Sequence, residues 1–155
     1  MIAEIQITVL CDNHGQGELQ TEHGFALWLH SPELNLLFDT GSGQTLLANA
    51  ERLDIQLNDC QMVVLSHGHY DHSGGLDTLW QMGVQCPVMA HPSVILPRYS
   101  RHPQKPVRSI GMPTSVVTQL WDLQPHMRLW VLTAQMLTPY WGTSGEIPRQ
   151  DPLED

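Results

Sequence analysis

Positive charge is scarce in this sequence. Seven Lys and Arg stand against sixteen Asp and Glu, a formal net charge of −9 with His neutral. That balance excludes a broad nucleic-acid surface, because holding a phosphate backbone takes clustered Lys and Arg. Long apolar runs are missing as well. No stretch approaches the roughly 20 apolar residues of a membrane span. The start, Met1-Ile2-Ala3-Glu4-Ile5, has neither a basic flank nor a long apolar segment. With neither a membrane span nor a signal peptide in view, the cytoplasm is the expected compartment. Only three cysteines occur, Cys11, Cys60 and Cys86, and they form no CxxC pair. An odd, scattered set excludes a disulfide framework and points to reduced thiols. Internal repeats and low-complexity tracts are absent.

What remains is enough for one domain, residues 1–155. A chain of 155 residues can bury a core without staples. With 41% apolar residues it reads as globular. Alternating Ile and Val over residues 2–10 predict a strand. Residues 24–30 and 34–38 predict a hairpin joined by Ser31-Pro32-Glu33. Leu46, Leu47, Ala50 and Leu53 share one helical face over residues 44–53. The apolar run Met62-Val63-Val64-Leu65 suits a strand buried on both faces. Beyond it, Asp71 or Ser73 is placed to cap a helix carrying Leu76, Leu79, Trp80 and Met82. Residues 87–90 predict the next buried strand. Residues 92–113 hold five prolines and predict a long loop with one short helix. Further strands are expected at 115–118 and 127–133, and turn chemistry after Tyr140. The order gives an α/β domain with a mixed sheet and flanking helices. In such sheets chemistry gathers on loops beyond strand C-termini, where Asp39 and His67 both sit.

One segment carries chemistry. His67, His69, Asp71 and His72 lie together directly after a buried strand. In a tight loop, alternate side chains can turn to a common point. His67 and His69 then ligate one metal, and Asp71 and His72 face a second beside it. Imidazole and carboxylate suit Zn, Fe or Mn alike. The expected chemistry is hydrolysis by a metal-activated water, with Asp71 as the residue that orients or deprotonates it. Gly68 allows a tight backbone, and Gly74-Gly75 lets the next helix pack close. Arg98, Arg101, Lys105 and Arg108 gather four of the seven basic residues in one stretch, read either as a solvated loop or as a local anion contact.

The run Ser66-His67-Gly68-His69-Tyr70-Asp71-His72-Ser73-Gly74-Gly75-Leu76 resembles the HxHxDH core motif of the metallo-β-lactamase superfamily. Leu37-Phe38-Asp39-Thr40-Gly41 resembles that superfamily's first motif, whose Asp supports the metal loop by hydrogen bonding. Asp12-Asn13, Glu22-His23-Gly24, Asn49-Ala50, Ala90-His91-Pro92 and Gly145-Glu146-Ile147-Pro148-Arg149 are similar to a narrower branch. That branch contains the 7,8-dihydropterin-6-methyl-4-(β-D-ribofuranosyl)aminobenzene-5′-phosphate synthase-like proteins. The resemblance implies the N-terminal part of an αββα sandwich and two zinc ions per complete site. It also implies rim or substrate roles for Asn13, His23, His91 and Arg149, the last through a bidentate anion contact.

Superfamily chains continue to a third His, a bridging Asp and a late His, and no candidate for these follows the motif here. The expectation is therefore half of a metal site, completed in a homo-oligomer or by a separately encoded second half, with a fragment of a longer product as the third alternative. Two functions compete. One is a metal-dependent hydrolase of a small, phosphorylated or cyclic molecule. The other is a non-catalytic homologue that binds metal or ligand, or serves as a partner subunit.

Overall fold

The computed structural model describes residues 4–148. Its centre is a six-stranded sheet in the order β1-β2-β3-β4-β5-β8. β1 (Gln6–Cys11), β2 (Ala26–His30) and β3 (Asn35–Phe38) run antiparallel in sequence order. β3 then pairs in parallel with β4 (Met62–Val64), β4 with β5 (Val88–Ala90), and β5 with β8 (Arg128–Trp130). The sheet is mixed, as the early hairpin and the later apolar strands dictate.

Period-two alternation gives the sheet two unlike faces. Ala26, Trp28, Leu37, Val63, Val88 and Ala90 point into one core. Three helices cover that face: α1 (Leu46–Arg52), α3 (Gly75–Gln81) and α4 (Thr114–Asp122). They contribute Leu46, Ala50, Leu76, Leu79, Val116 and Leu120 to the same cluster. The opposite face carries Leu27, Phe38, Val64, Met89 and Leu129, aligned across the strands by register. A hairpin of β9 (Thr133–Met136) and β10 (Gly142–Gly145) lies over part of this face. Trp141 ties its turn to the far end of the sheet, where the indole N–H donates to Ser31 Oγ at 3.2 Å.

Four expectations need correction. Residues 115–118 are helical, within α4. The β-branched run Val116-Val117-Thr118 favours a strand locally, but Val116 and Leu120 lie one turn apart and both are buried, so packing overrides propensity. Residues 92–113 are not a plain loop. They hold a 3-10 turn (Pro92–Ile95) and then a hairpin of β6 (Tyr99–His102) and β7 (Lys105–Ser109). The metal-loop helix has neither Asp71 nor Ser73 as its cap. The single turn α2 (Tyr70–Ser73) has His69 at its N-cap, the helix that carries Leu76, Leu79 and Trp80 is α3 with Gly74 at its N-cap, and Ser73 Oγ donates back to the His69 carbonyl at 2.7 Å. After Tyr140 the chain forms β10 rather than turns alone.

Candidate metal centre

The strand ends build the site. β3 and β4 run parallel with Phe38 opposite Val64, and Asp39 N–H donates to Val64 O at 2.9 Å. Both chains therefore leave the sheet side by side, bringing Asp39 next to Ser66. Asp39 is buried and holds φ at +56°. That left-handed conformation strains most side chains, and Asp is among the few that tolerate it. Its carboxylate accepts three hydrogen bonds: from Ser66 N at 2.8 Å, from Ser66 Oγ at 2.6 Å, and from His72 Nδ1 at 2.8 Å.

The metal loop is clamped by backbone. Thr40 N–H donates to His72 O at 2.7 Å, Phe25 N–H to Asp71 O at 3.1 Å, and Gly75 N–H to Gly41 O at 3.1 Å. A Cβ at Gly68 would overlap the Val94 carbonyl, and one at Gly75 would overlap the Thr40 carbonyl. Both glycines are thus dictated by close approach, as their spacing suggested.

The imidazoles gather. The His67 ring centroid lies 4.5 Å from that of His69 and 4.1 Å from that of His72. His72 spends Nδ1 on Asp39, leaving Nε2 3.9 Å from Asp71 Oδ2. Asp39, His67 and His72 offer ligand atoms that all lie within 4.8 Å of one another. Asp71 Oδ2 also meets His23 Nε2 at 3.2 Å, and His23 Nδ1 meets Asn13 Oδ1 at 3.1 Å. So Asn13 and His23 stand at the site, chained to Asp71.

His91 is placed differently. Its Nδ1 accepts from Ser93 N at 3.2 Å and caps the 3-10 turn. It lines, with His67, a cavity of about 520 Å³ on the sheet's second face. Arg149 lies outside the described residues.

A family model for the metallo-beta-lactamase superfamily matches residues 20–142. The chain belongs to the metallo-beta-lactamase superfamily. An uncharacterised protein of Methanocaldococcus jannaschii is 32% identical over 95 residues, covering 61% of this chain and 37% of its own. The 7,8-dihydropterin-6-methyl-4-(beta-D-ribofuranosyl)-aminobenzene-5'-phosphate synthase of the same organism is 25% identical over 111 residues, covering 66% of this chain and 38% of its own. The crystal structure of Tm1679, a metal-dependent hydrolase of the beta-lactamase superfamily, superposes with a TM-score of 0.65 at 27% identity. That match covers 88% of this chain and 46% of Tm1679. The chain thus spans less than half the length of each relative.

Electrostatics separate the histidines of this superfamily site. Burial pushes His67 down to about 4, helped by the neighbouring His72 and His69. Burial also acts to lower His72, but the hydrogen bond and charge of Asp39, with the charge of Asp71, outweigh it and raise the net value. His67 is thus held neutral, the form that ligates metal.

Three supporting residues escaped the sequence reading. Ser66 was visible only as a motif neighbour. Glu22 was visible only as part of Glu22-His23-Gly24, yet its carboxylate accepts from Cys11 Sγ, Ser42 N, Ser42 Oγ and Gln44 N, and so pins the loop after Asp39. Arg98 was visible as one of a basic group, with nothing to place it in the His67 cavity.

Proposed function

We propose that this protein is a metal-dependent hydrolase of a small molecule. His67, His69, Asp71 and His72 hold the metal and Asp39 positions His72. The observation that carries this reading is the Asp39–His72 bond. It fixes the imidazole so that Nε2, and not Nδ1, faces the cluster. The donor set fits a divalent transition metal: three imidazoles and one carboxylate on one loop, with a carboxylate behind one imidazole. Zinc is the metal we expect, with iron and manganese open to the same donors. Such a metal, when bound, supplies Lewis acidity at neutral pH.

The chain's own groups do the rest. Asp71 orients the attacking water and accepts its proton. His23, held by Asn13, fixes the rotamer of Asp71 from outside. His91 stands at the rim as a substrate contact. Three free cysteines fit a reducing compartment, the cytoplasm. Among the described residues no helix is long and apolar enough to cross a membrane.

Four ligands for two metals fall short of the three protein ligands per ion that catalytic zinc sites use. We propose that the remaining ligands come from outside the described residues, on a second copy of this chain or on a second-half chain. The same partner would cover the sheet's second face, where Ile7 is 61% and Val9 45% exposed.

Metal content tests the reading. Zinc-loaded protein is expected to retain two equivalents per complete site after desalting, and His69→Ala to lose them. Failure to retain zinc even from excess would overturn the hydrolase and leave the non-catalytic ligand-binding or partner-subunit reading. Light scattering tests the partner: a persistent monomer that still retains two equivalents would overturn the need for a second copy.

A further inference from the structure

The cavity beside His67 holds a cation that the metal reading does not use. Arg98 lines it together with His67, His91 and Ser93. Among the described residues Arg98 makes no ion pair, and its guanidinium gives one hydrogen bond, from Nη2 to Ser93 O at 3.3 Å. A guanidinium carries five N–H donors in a planar fork suited to an oxyanion. Among the described residues the rest of that capacity has no partner. The arginine is also held in place. Ile110 N–H donates to Arg98 O at 2.9 Å, and Tyr70 N–H donates to Ile110 O at 3.0 Å. The next residue, Gly111, forms a backbone bridge with His69. Arg98 is therefore one backbone layer away from the metal loop, held to Ile110, which in turn holds Tyr70.

We propose that Arg98, with His91, is the subsite for an oxyanion substituent of the substrate, a phosphate or carboxylate, whose scissile bond lies at the histidine cluster. This rests on the hydrolase reading and names the substrate class for it. In a protein of net charge −9 an anionic substrate is repelled at long range, so a local fork is needed to seat it. The cavity floor of Phe38, Val64 and Met89 is apolar, which suits a flat or hydrocarbon body between the two polar ends. Glu146 stands at the rim of the same cavity. Its carboxylate disfavours a second anionic group, so the subsite selects one oxyanion rather than a polyanion. The exposed Arg101, Lys105 and Arg108 on the β6–β7 hairpin do not line this cavity.

The test is a side-chain NMR titration of the 15N-labelled full chain, stripped of metal with a chelator that is then removed by exhaustive dialysis, with inorganic phosphate and, separately, acetate. The expected result is a saturable shift of the Arg98 Nε–H signal with at least one anion. Arg98→Gln should weaken binding at least tenfold, and the double variant Arg101→Gln/Arg108→Gln should leave it unchanged. Arg98→Lys, which keeps the charge and loses the fork, should fall between; it also replaces Arg98→Gln if that variant does not fold. No saturable shift, equal binding in Arg98→Gln, or loss in the hairpin double variant would each overturn the subsite. Zinc uptake on the same samples reports on the metal reading alone, and Arg98→Gln should not change it.

Discussion

Removing the Asp39 carboxylate separates what that residue does for the fold from what it does for metal. Asp39→Ala orphans three donors, Ser66 N, Ser66 Oγ and His72 Nδ1, and leaves a β-carbon at φ +56° without a compensating side-chain bond. At about 1 kcal/mol for each lost bond and about 1 kcal/mol for the left-handed alanine, the cost is about 4 kcal/mol. For a chain of this size that lowers Tm by roughly 10–15 °C. Asp39→Asn behaves differently. Its carbonyl still accepts from Ser66, and Asn tolerates the left-handed backbone, so Tm should fall by no more than about 5 °C. Its amide, however, presents N–H to His72 Nδ1. The imidazole proton then moves to Nε2, the nitrogen that faces the cluster. Zinc affinity should drop about 10–100-fold, the usual effect of losing the group behind a ligating histidine. Calorimetry gives Tm, competition with a chromophoric chelator gives zinc affinity, and histidine 15N shifts report the tautomer. Full zinc affinity in Asp39→Asn would refute the positioning role. Complete loss of zinc in both variants would make Asp39 a ligand instead. Equal Tm losses in both would reduce it to a structural residue.

The remaining predictions concern pH and packing. In metal-free protein the folded-state pKa of His67 lies near 4, below the ordinary 6.5. The unfolded chain therefore binds more protons between pH 6.5 and 4, and stability should fall as pH falls through that window. His72 has the opposite sign: its raised value gives stability that is present below pH 6.5 and lost as pH rises through its folded pKa. Denaturant melts of His67→Gln should show a flatter acid limb than wild type, and an unchanged limb would refute the assignment. Gly68→Ala would drive a β-carbon into the Val94 carbonyl, so a loss of about 1–3 kcal/mol with weakened zinc binding is expected by chemical denaturation and metal analysis. A neutral Gly68→Ala would mean that the Pro92–Ile95 turn gives way freely.

Legibility from sequence followed locality. Strands with a buried face announced themselves through alternation or apolar runs. Residues 62–65 were legible as a strand from their apolar run, but only Val63 and Leu65 are buried while Met62 and Val64 are half-buried, so the second face is less covered than the run suggests. The β6–β7 hairpin stayed hidden because almost every residue in it is exposed, so no burial periodicity marks it, and Pro103 and Pro106 speak against strands. Residues 115–118 misled because a four-residue window sees β-branching, while the helix shows only over the span from Val116 to Leu120.

The candidate site divides along the same line. His67, His69, Asp71 and His72 are contiguous, so a loop suffices to gather them and the sequence displays them. Their support is not contiguous. Asp39 reaches Ser66 and His72 only because Phe38 stands opposite Val64 in the β3–β4 ladder. A slip of one residue in that register would turn every β3 side chain to the opposite face. It would part Asp39 from Ser66 while leaving the motif intact to the eye. Arg98 depends on a longer chain of the same kind, through Ile110 and Gly111 to His69. The motif states which atoms can hold a metal. The sheet register and the hairpin stem set the tautomer of His72 and seat Arg98, and a sequence pattern carries neither, because both are relations between segments far apart in the chain.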